Sequence, residues 1–146
     1  GYIWSTATFL KQQLENLGID YVFIGGIAVY MHGYQRTTHD VNLLMTREFP
    51  GDGREKLVSF PDPITCQEEK NGLKIITLAK LIELKLASYQ SLPVNRFQDM
   101  SDVISLIKIL NLNEHFAEKL HPSVRDTFHA TIVPLKEEKK DVDLND

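Results

Sequence analysis

Apolar positions along this chain recur with two different periods, helical near the ends and strand-like in the middle. Leu10, Leu14 and Leu17 fall on one stripe, which predicts a first helix capped by Ser5 or Thr6 and stopped by Gly18. Asp20 to Ile24 ends in an unbroken apolar run, the pattern of a short strand in a sheet covered on both faces. Gly25 and Gly26 break that run. Ile27 to His32 then reads as a helix of about two turns closed by Gly33. Asp40 to Met45 is again largely apolar and predicts a second strand beside the first, one that opens with a carboxylate.

Beyond Thr46 the pattern loosens. Pro50-Gly51-Asp52-Gly53 and Phe60-Pro61-Asp62-Pro63 are turn chemistry, and Ile64 to Glu69 supports at most a short strand. Asn71-Gly72 is a hairpin signal leading into a strand at Leu73 to Ile76. The remainder is helical. Leu78 to Ser88 carries apolar residues around most of its circumference, which implies burial. After a polar loop with Pro93, Gln98 to Leu110 turns Met100, Val103, Ile104, Ile107 and Leu110 inward. Asn113 caps a short helix through Leu120, and Pro122 opens a last helix to about Val133.

These elements predict an α/β (α+β) fold: a small, mixed, twisted sheet of three or more strands flanked by helices, with a helical C-terminal portion. One domain spans 1–135, with the sheet part at about 1–77 and the helical part at about 78–135. Residues 136–146 are a mixed-charge run without apolar period and read as a disordered tail. The length of 146 residues suits one such domain.

Composition changes this picture little. The net charge of −4 argues against a surface that tracks nucleic acid throughout, although a local basic patch near Arg36, Lys85 and Arg96 remains open. No apolar run approaches a membrane span and no signal-peptide pattern opens the sequence, so no membrane partner is expected. Cys66, the single cysteine, excludes an internal disulfide, fits a reducing cytoplasm and reads as an ordinary structural or surface cysteine.

The chemistry concentrates around the diglycine. Glycines let the backbone approach a phosphate chain closely, and the N–H groups opening the next helix face an anion with a favourable dipole. Thirteen residues separate Gly26 from Asp40, room for the short helix and a return loop, so the turn and the carboxylate can meet at one rim. The alternative is a tight strand-to-helix turn with no ligand. His32 reads as packed at a helix end and His39 as exposed in a loop, rather than as metal ligands or bases.

Taken together, Gly25-Gly26-Ile27-Ala28 with His32-Gly33, Arg36-Thr37-Thr38 and Asp40-Val41-Asn42 resembles minimal nucleotidyltransferase-fold proteins, the group related to the AbiEii toxins of abortive-infection systems. A second block agrees: Leu78 to Ser88 with Lys85, then Arg96, Asp99, Asp102 and Val103, is similar to that family's later helical motifs. The likeness covers roughly residues 8–130. It implies transfer of a nucleoside monophosphate from a nucleoside triphosphate to a hydroxyl, on a nucleic acid or a protein, with Mg2+ held by two or three carboxylates. It also implies an antitoxin-like partner. By match, Gly25 and Gly26 cradle phosphates, Arg36 with Thr38 meets their charge, and Asp40 is the first metal ligand.

Two departures set this chain apart. Asn42 stands where the second carboxylate belongs, and a neutral amide neither neutralises nor bridges two metal ions well. The family's third carboxylate lies on a later strand, yet here Met45 to Phe49 runs almost directly into Pro50, so a segment is shortened or lies outside this sequence; Glu48 is the nearest acid. The resemblance therefore implies a weak or inactive nucleotidyltransferase, the alternative being a non-catalytic binding or interaction module, such as a component of a toxin–antitoxin-like pair. Lys85 shares a helical stripe with Leu78, Leu81 and Ile82, so its buried amine needs a partner. A structural pair with Asp102 or Asp99, locking the helical layer onto the sheet, is one role; the other is holding substrate phosphate, by Lys85 or Arg96.

Overall fold

Tyr21, Val22 and Phe23 are almost wholly excluded from solvent, and the sheet is built outward from them. The computed structural model describes residues 2–46, 61–92 and 96–145, with side chains to residue 139. The readings at Glu48, Pro50 to Phe60 and Pro93 lie outside those residues. The chain forms two compact units, Gly1–Met31 with Gln35–Thr77, and His32–Tyr34 with Leu78–Asp146. The mixed α/β class expected from the apolar pattern is the observed one.

In the first unit, helix α1 (Tyr2–Asn16) is followed by strand β1 (Tyr21–Ile24), helix α2 (Gly25–His32), strand β2 (Asn42–Met45), and strands β3 (Gln67–Lys70) and β4 (Leu73–Ile76). The sheet order is β2-β1-β4-β3. β1 runs antiparallel to β2 and parallel to β4, and β3 pairs antiparallel with β4. β3 reads Gln-Glu-Glu-Lys, the charged composition that blunts an edge strand against further pairing. Asn71 and Gly72 both take positive φ, 51° and 80°, which matches the twist of a two-residue hairpin.

α1 starts at Tyr2, ahead of the Ser5 or Thr6 cap expected from the sequence. Its inward stripe is Ile3, Ala7, Leu10 and Leu14, and Leu17 is exposed instead of closing the stripe. The reason is the helix stop. Gly18 adopts φ +67°, its N–H donates to the Glu15 carbonyl at 3.1 Å, and the Ile19 N–H donates to Leu14 at 3.0 Å. That pair of bonds is a left-handed helix end, which points Leu17 outward and folds Ile19 back against the core beside Leu14.

The core of this unit joins Ala7 and Leu14 of α1, Tyr21 and Phe23 of β1, Ile27 of α2, and Leu73 and Ile75 of β4. Tyr21 is buried with its hydroxyl donating to Glu15 Oε1 at 3.1 Å. Burial, aided by the Glu15 carboxylate, pushes this phenol well above the tyrosine range. A raised folded-state value means that the stability contributed is complete below the unfolded value, about pH 10, and is lost as pH rises through the folded one. Tyr21→Phe is expected to shallow the alkaline loss of stability, read as denaturation midpoints across that range.

The second unit contains helices α3 (Leu78–Ser91), α4 (Phe97–Leu110) and α5 (Pro122–Asn145), with a 3₁₀ turn at Glu114–Lys119. Asn113 caps the 3₁₀ turn by accepting from the His115 N–H at 2.9 Å. α4 ends at Asn111, whose left-handed φ of 52° stands in for a glycine. Its buried face is Asp102, Val103, Leu106 and Ile107, so Leu106 takes the place that the pattern assigned to Leu110, which is partly exposed. α5 continues through Pro134 to Asn145, beyond the end expected at Val133. Lys136 bonds Glu114 at 3.1 Å and Lys139 bonds Asn111 at 3.3 Å, so polar ties replace the missing apolar stripe.

Lys85 is the fixed point of this unit. Its Nζ lies 2.9 Å from Asp102 Oδ2 and 3.3 Å from Asp99 Oδ1, and Gln98 donates to Asp102 Oδ1 at 2.8 Å. Both expected partners are used, and the links run from α3 to α4. Asp102 is fully buried, and removing the ammonium takes away the cation held between it and Asp99. Lys85→Ala is expected to destabilise the chain by about 3–5 kcal/mol in urea unfolding. A loss below about 1 kcal/mol would contradict a buried, balanced pair.

Candidate functional site

β1 passes into α2 without a loop. Gly25 takes φ +63°, a conformation that costs an L-residue roughly 1–2 kcal/mol, and the helix begins there. The turn also sets where β2 begins. Ile24 pairs with Asn42, and beyond that point β1 has turned away into α2, leaving nothing to extend the ladder. β2 accordingly starts at Asn42, and Asp40 lies in the connection before it rather than on the strand as the sequence suggested.

The glycines are packed from above by the chain itself. A β-carbon on Gly25 would lie 2.8 Å from Asn42 Nδ2. One on Gly26 would lie 2.5 Å from the Thr38 β-carbon and still closer to its hydroxyl oxygen. The Thr38 hydroxyl lies 3.4 Å from the Asp40 carbonyl that accepts from it. Gly25, Gly26, Thr38, Asp40 and Asn42 therefore belong to one edge of the first unit. Asp40 and Asn42 are exposed there, Gly25 and Thr38 are half-buried, and Gly26 is buried.

Arg36 is half-buried and donates from Nη1 to the Thr37 carbonyl at 3.1 Å. It lines a cavity of about 410 Å³ with Tyr2, Trp4, Tyr30, Thr37 and Thr38. Trp4 and Tyr30 meet edge to face, their ring centres 5.0 Å apart at 63°, which fastens α1 to α2. Sequence reasoning missed this aromatic wall. The available signal was a lone tryptophan at the start of α1, but its partner lies on another helix and only the packing joins them. His39 is exposed at the rim and His32 is buried at the end of α2, both as expected.

Lys85 belongs to the helical unit, with its ammonium between Asp99 and Asp102. Cys66 is buried, its thiol donating to the Asp62 carbonyl at 3.3 Å, which agrees with a structural cysteine. Among the described residues no group of three or more His, Cys, Asp or Glu side chains could hold a metal ion. The described donors at the glycine edge are one carboxylate, Asp40, and one amide, Asn42. This set does not fit a two-magnesium centre, which needs several oxygen ligands with charge to match. No described helix is long and apolar enough to cross a membrane.

Steric exclusion at Gly26 is directly testable. Gly26→Ala forces the new methyl into Thr38 and is expected to cost about 1–3 kcal/mol, as overpacking does. Adding Thr38→Gly to that variant should recover most of the loss in urea unfolding, and no recovery would refute the contact.

Compared with known protein families, curated protein sequences and solved structures, the chain matches none.

Proposed function

We propose that this chain is a nucleotidyltransferase-like protein that binds a nucleoside triphosphate at the Gly25-Gly26 edge and turns it over weakly or not at all. The observation that supports the reading is the grouping of Gly25, Gly26, Thr38, Asp40 and Asn42 at one edge, with an amide in the position of a second carboxylate. Asp40 supplies the single negative charge for a magnesium–triphosphate complex, and Arg36 with the opening of α2 supplies positive potential for phosphate. The resemblance to the AbiEii-related group supplies the substrate class and the idea of an antitoxin-like partner. Catalysis is expected to be impaired because one carboxylate and an amide cannot stabilise both the attacking and the leaving oxygen. The location consistent with this chemistry is the cytoplasm, where magnesium triphosphates are plentiful.

The alternative, a non-catalytic interaction module, draws on a different observation. Thr38 and Asn42 occupy the space above the two glycines, so the turn's lack of side chains has an internal use without any phosphate. The two readings separate on calorimetry with magnesium and ATP. The triphosphate reading expects a magnesium-dependent part of the heat, absent in EDTA, that Asp40→Ala abolishes, and it expects Asn42→Asp to raise transfer of labelled nucleotide to RNA or protein by about a hundredfold. The same magnesium-dependent heat in wild type and Asp40→Ala, or none in either, overturns it in favour of the module.

A further inference from the structure

The aromatic cavity beside this edge has a chemistry of its own. Its lining residues come from two helices and from the connection between α2 and β2, and each of them belongs to the first unit. Trp4 and Tyr30 are half-buried, held edge to face, and Tyr2 stands at the mouth with 93% of its surface exposed. Thr37 and Thr38 contribute hydroxyl groups, and Arg36 contributes the cation. A volume of about 410 Å³ lies within the roughly 300–1,000 Å³ range of small-molecule sites. Rigid aromatic faces favour flat, conjugated ligands, hydroxyls can donate to or accept from heteroatoms on a ring edge, and a guanidinium favours phosphate. A planar base carrying a phosphate is the ligand that uses all three.

We propose that the cavity bounded by Trp4, Tyr30, Arg36 and Thr38 is a metal-independent nucleotide site, in which the base stacks against the aromatic wall and the phosphate meets Arg36. An acidic lipid or a simple carboxylate would meet the cation but make little use of the stacking wall. A neutral aromatic compound would stack but leave the cation unused. Stacking on aromatic side chains contributes about 1–3 kcal/mol per base and tolerates any base, so discrimination among bases is expected to be slight. The ligand is either a free nucleoside monophosphate or the phosphorylated end of a single strand; both carry the same base and phosphate. The site shares Arg36 and Thr38 with the triphosphate edge but requires neither Asp40 nor a metal.

Trp4 is the only tryptophan in the chain, so its fluorescence reports this site alone. The test is a titration of the wild-type chain with adenosine monophosphate and with adenosine, both in EDTA, so that success or failure of magnesium-dependent triphosphate binding does not decide it. The expected result is saturable quenching by the monophosphate, with adenosine binding about tenfold more weakly, the effect of one charge-assisted contact. Arg36→Ala is expected to erase that difference while leaving adenosine binding within about twofold, and Arg36→Lys to restore part of it. A 5′-phosphorylated oligoadenylate binding tighter than the monophosphate assigns the site to a strand end; equal or weaker binding assigns it to the free nucleotide. The proposal is overturned if quenching stays linear to about 10 mM, as for a free tryptophan derivative, or if adenosine and its monophosphate bind equally in the wild type.

Discussion

The first unit depends on a strand that becomes a helix within a single residue. That junction requires a left-handed backbone at Gly25 and no side chain at Gly26, because Asn42 and Thr38 fill the space above them. Three consequences follow from this constraint. The β1–β2 ladder stops at Ile24 and Asn42; Asp40 is released into the connection; and Thr38, pinned over Gly26, places the Arg36–Thr38 segment along the end of α1. The candidate chemistry is therefore a by-product of a packing requirement. A residue with a β-carbon at either glycine would disturb all of it together.

Charge decides how much chemistry that edge can support. Asp40 and Asn42 together offer one negative charge, where two metal ions would call for several. Among the described residues, the buried Lys85 and Asp102 lie elsewhere, in a cluster with the half-buried Asp99 that joins α3 to α4, and there their charges are paired. On the proposed reading, an edge with one carboxylate, a nearby guanidinium and an aromatic wall holds a nucleotide rather than breaking one. Thr38 belongs to both the glycine edge and the aromatic cavity, so occupation of either is expected to be felt at the other.

Much of this was legible in the sequence because it rests on local rules. The Asn71-Gly72 hairpin, the Asn113 cap, the Gly18 stop and the apolar run of β1 each follow from a few adjacent residues. Lys85 and Asp102 were legible because an ion on an apolar helical face must find a counter-ion. Other features were not, because they depend on which element packs on which. The late start of β2 comes from the departure of its partner strand. The extension of α5 past Pro134 accompanies bonds from Lys136 and Lys139 to Glu114 and Asn111, residues far away in sequence. The packing of Thr38 over Gly26 depends on how the connection between α2 and β2 folds back, which no local pattern announces. The Trp4–Tyr30 wall joins residues 26 positions apart through helix packing alone.

The most direct test of the account is amide mapping of the isotopically labelled chain by NMR, with magnesium and ATP added in steps. The account predicts that Gly25, Gly26 and Asp40 shift together along one saturation curve, and that this curve is lost when magnesium is removed, whereas Thr38, shared with the aromatic cavity, still responds. If Gly25, Gly26 and Asp40 stay fixed while the triphosphate and magnesium are added to excess, the glycine edge is only a packing device and the account is contradicted.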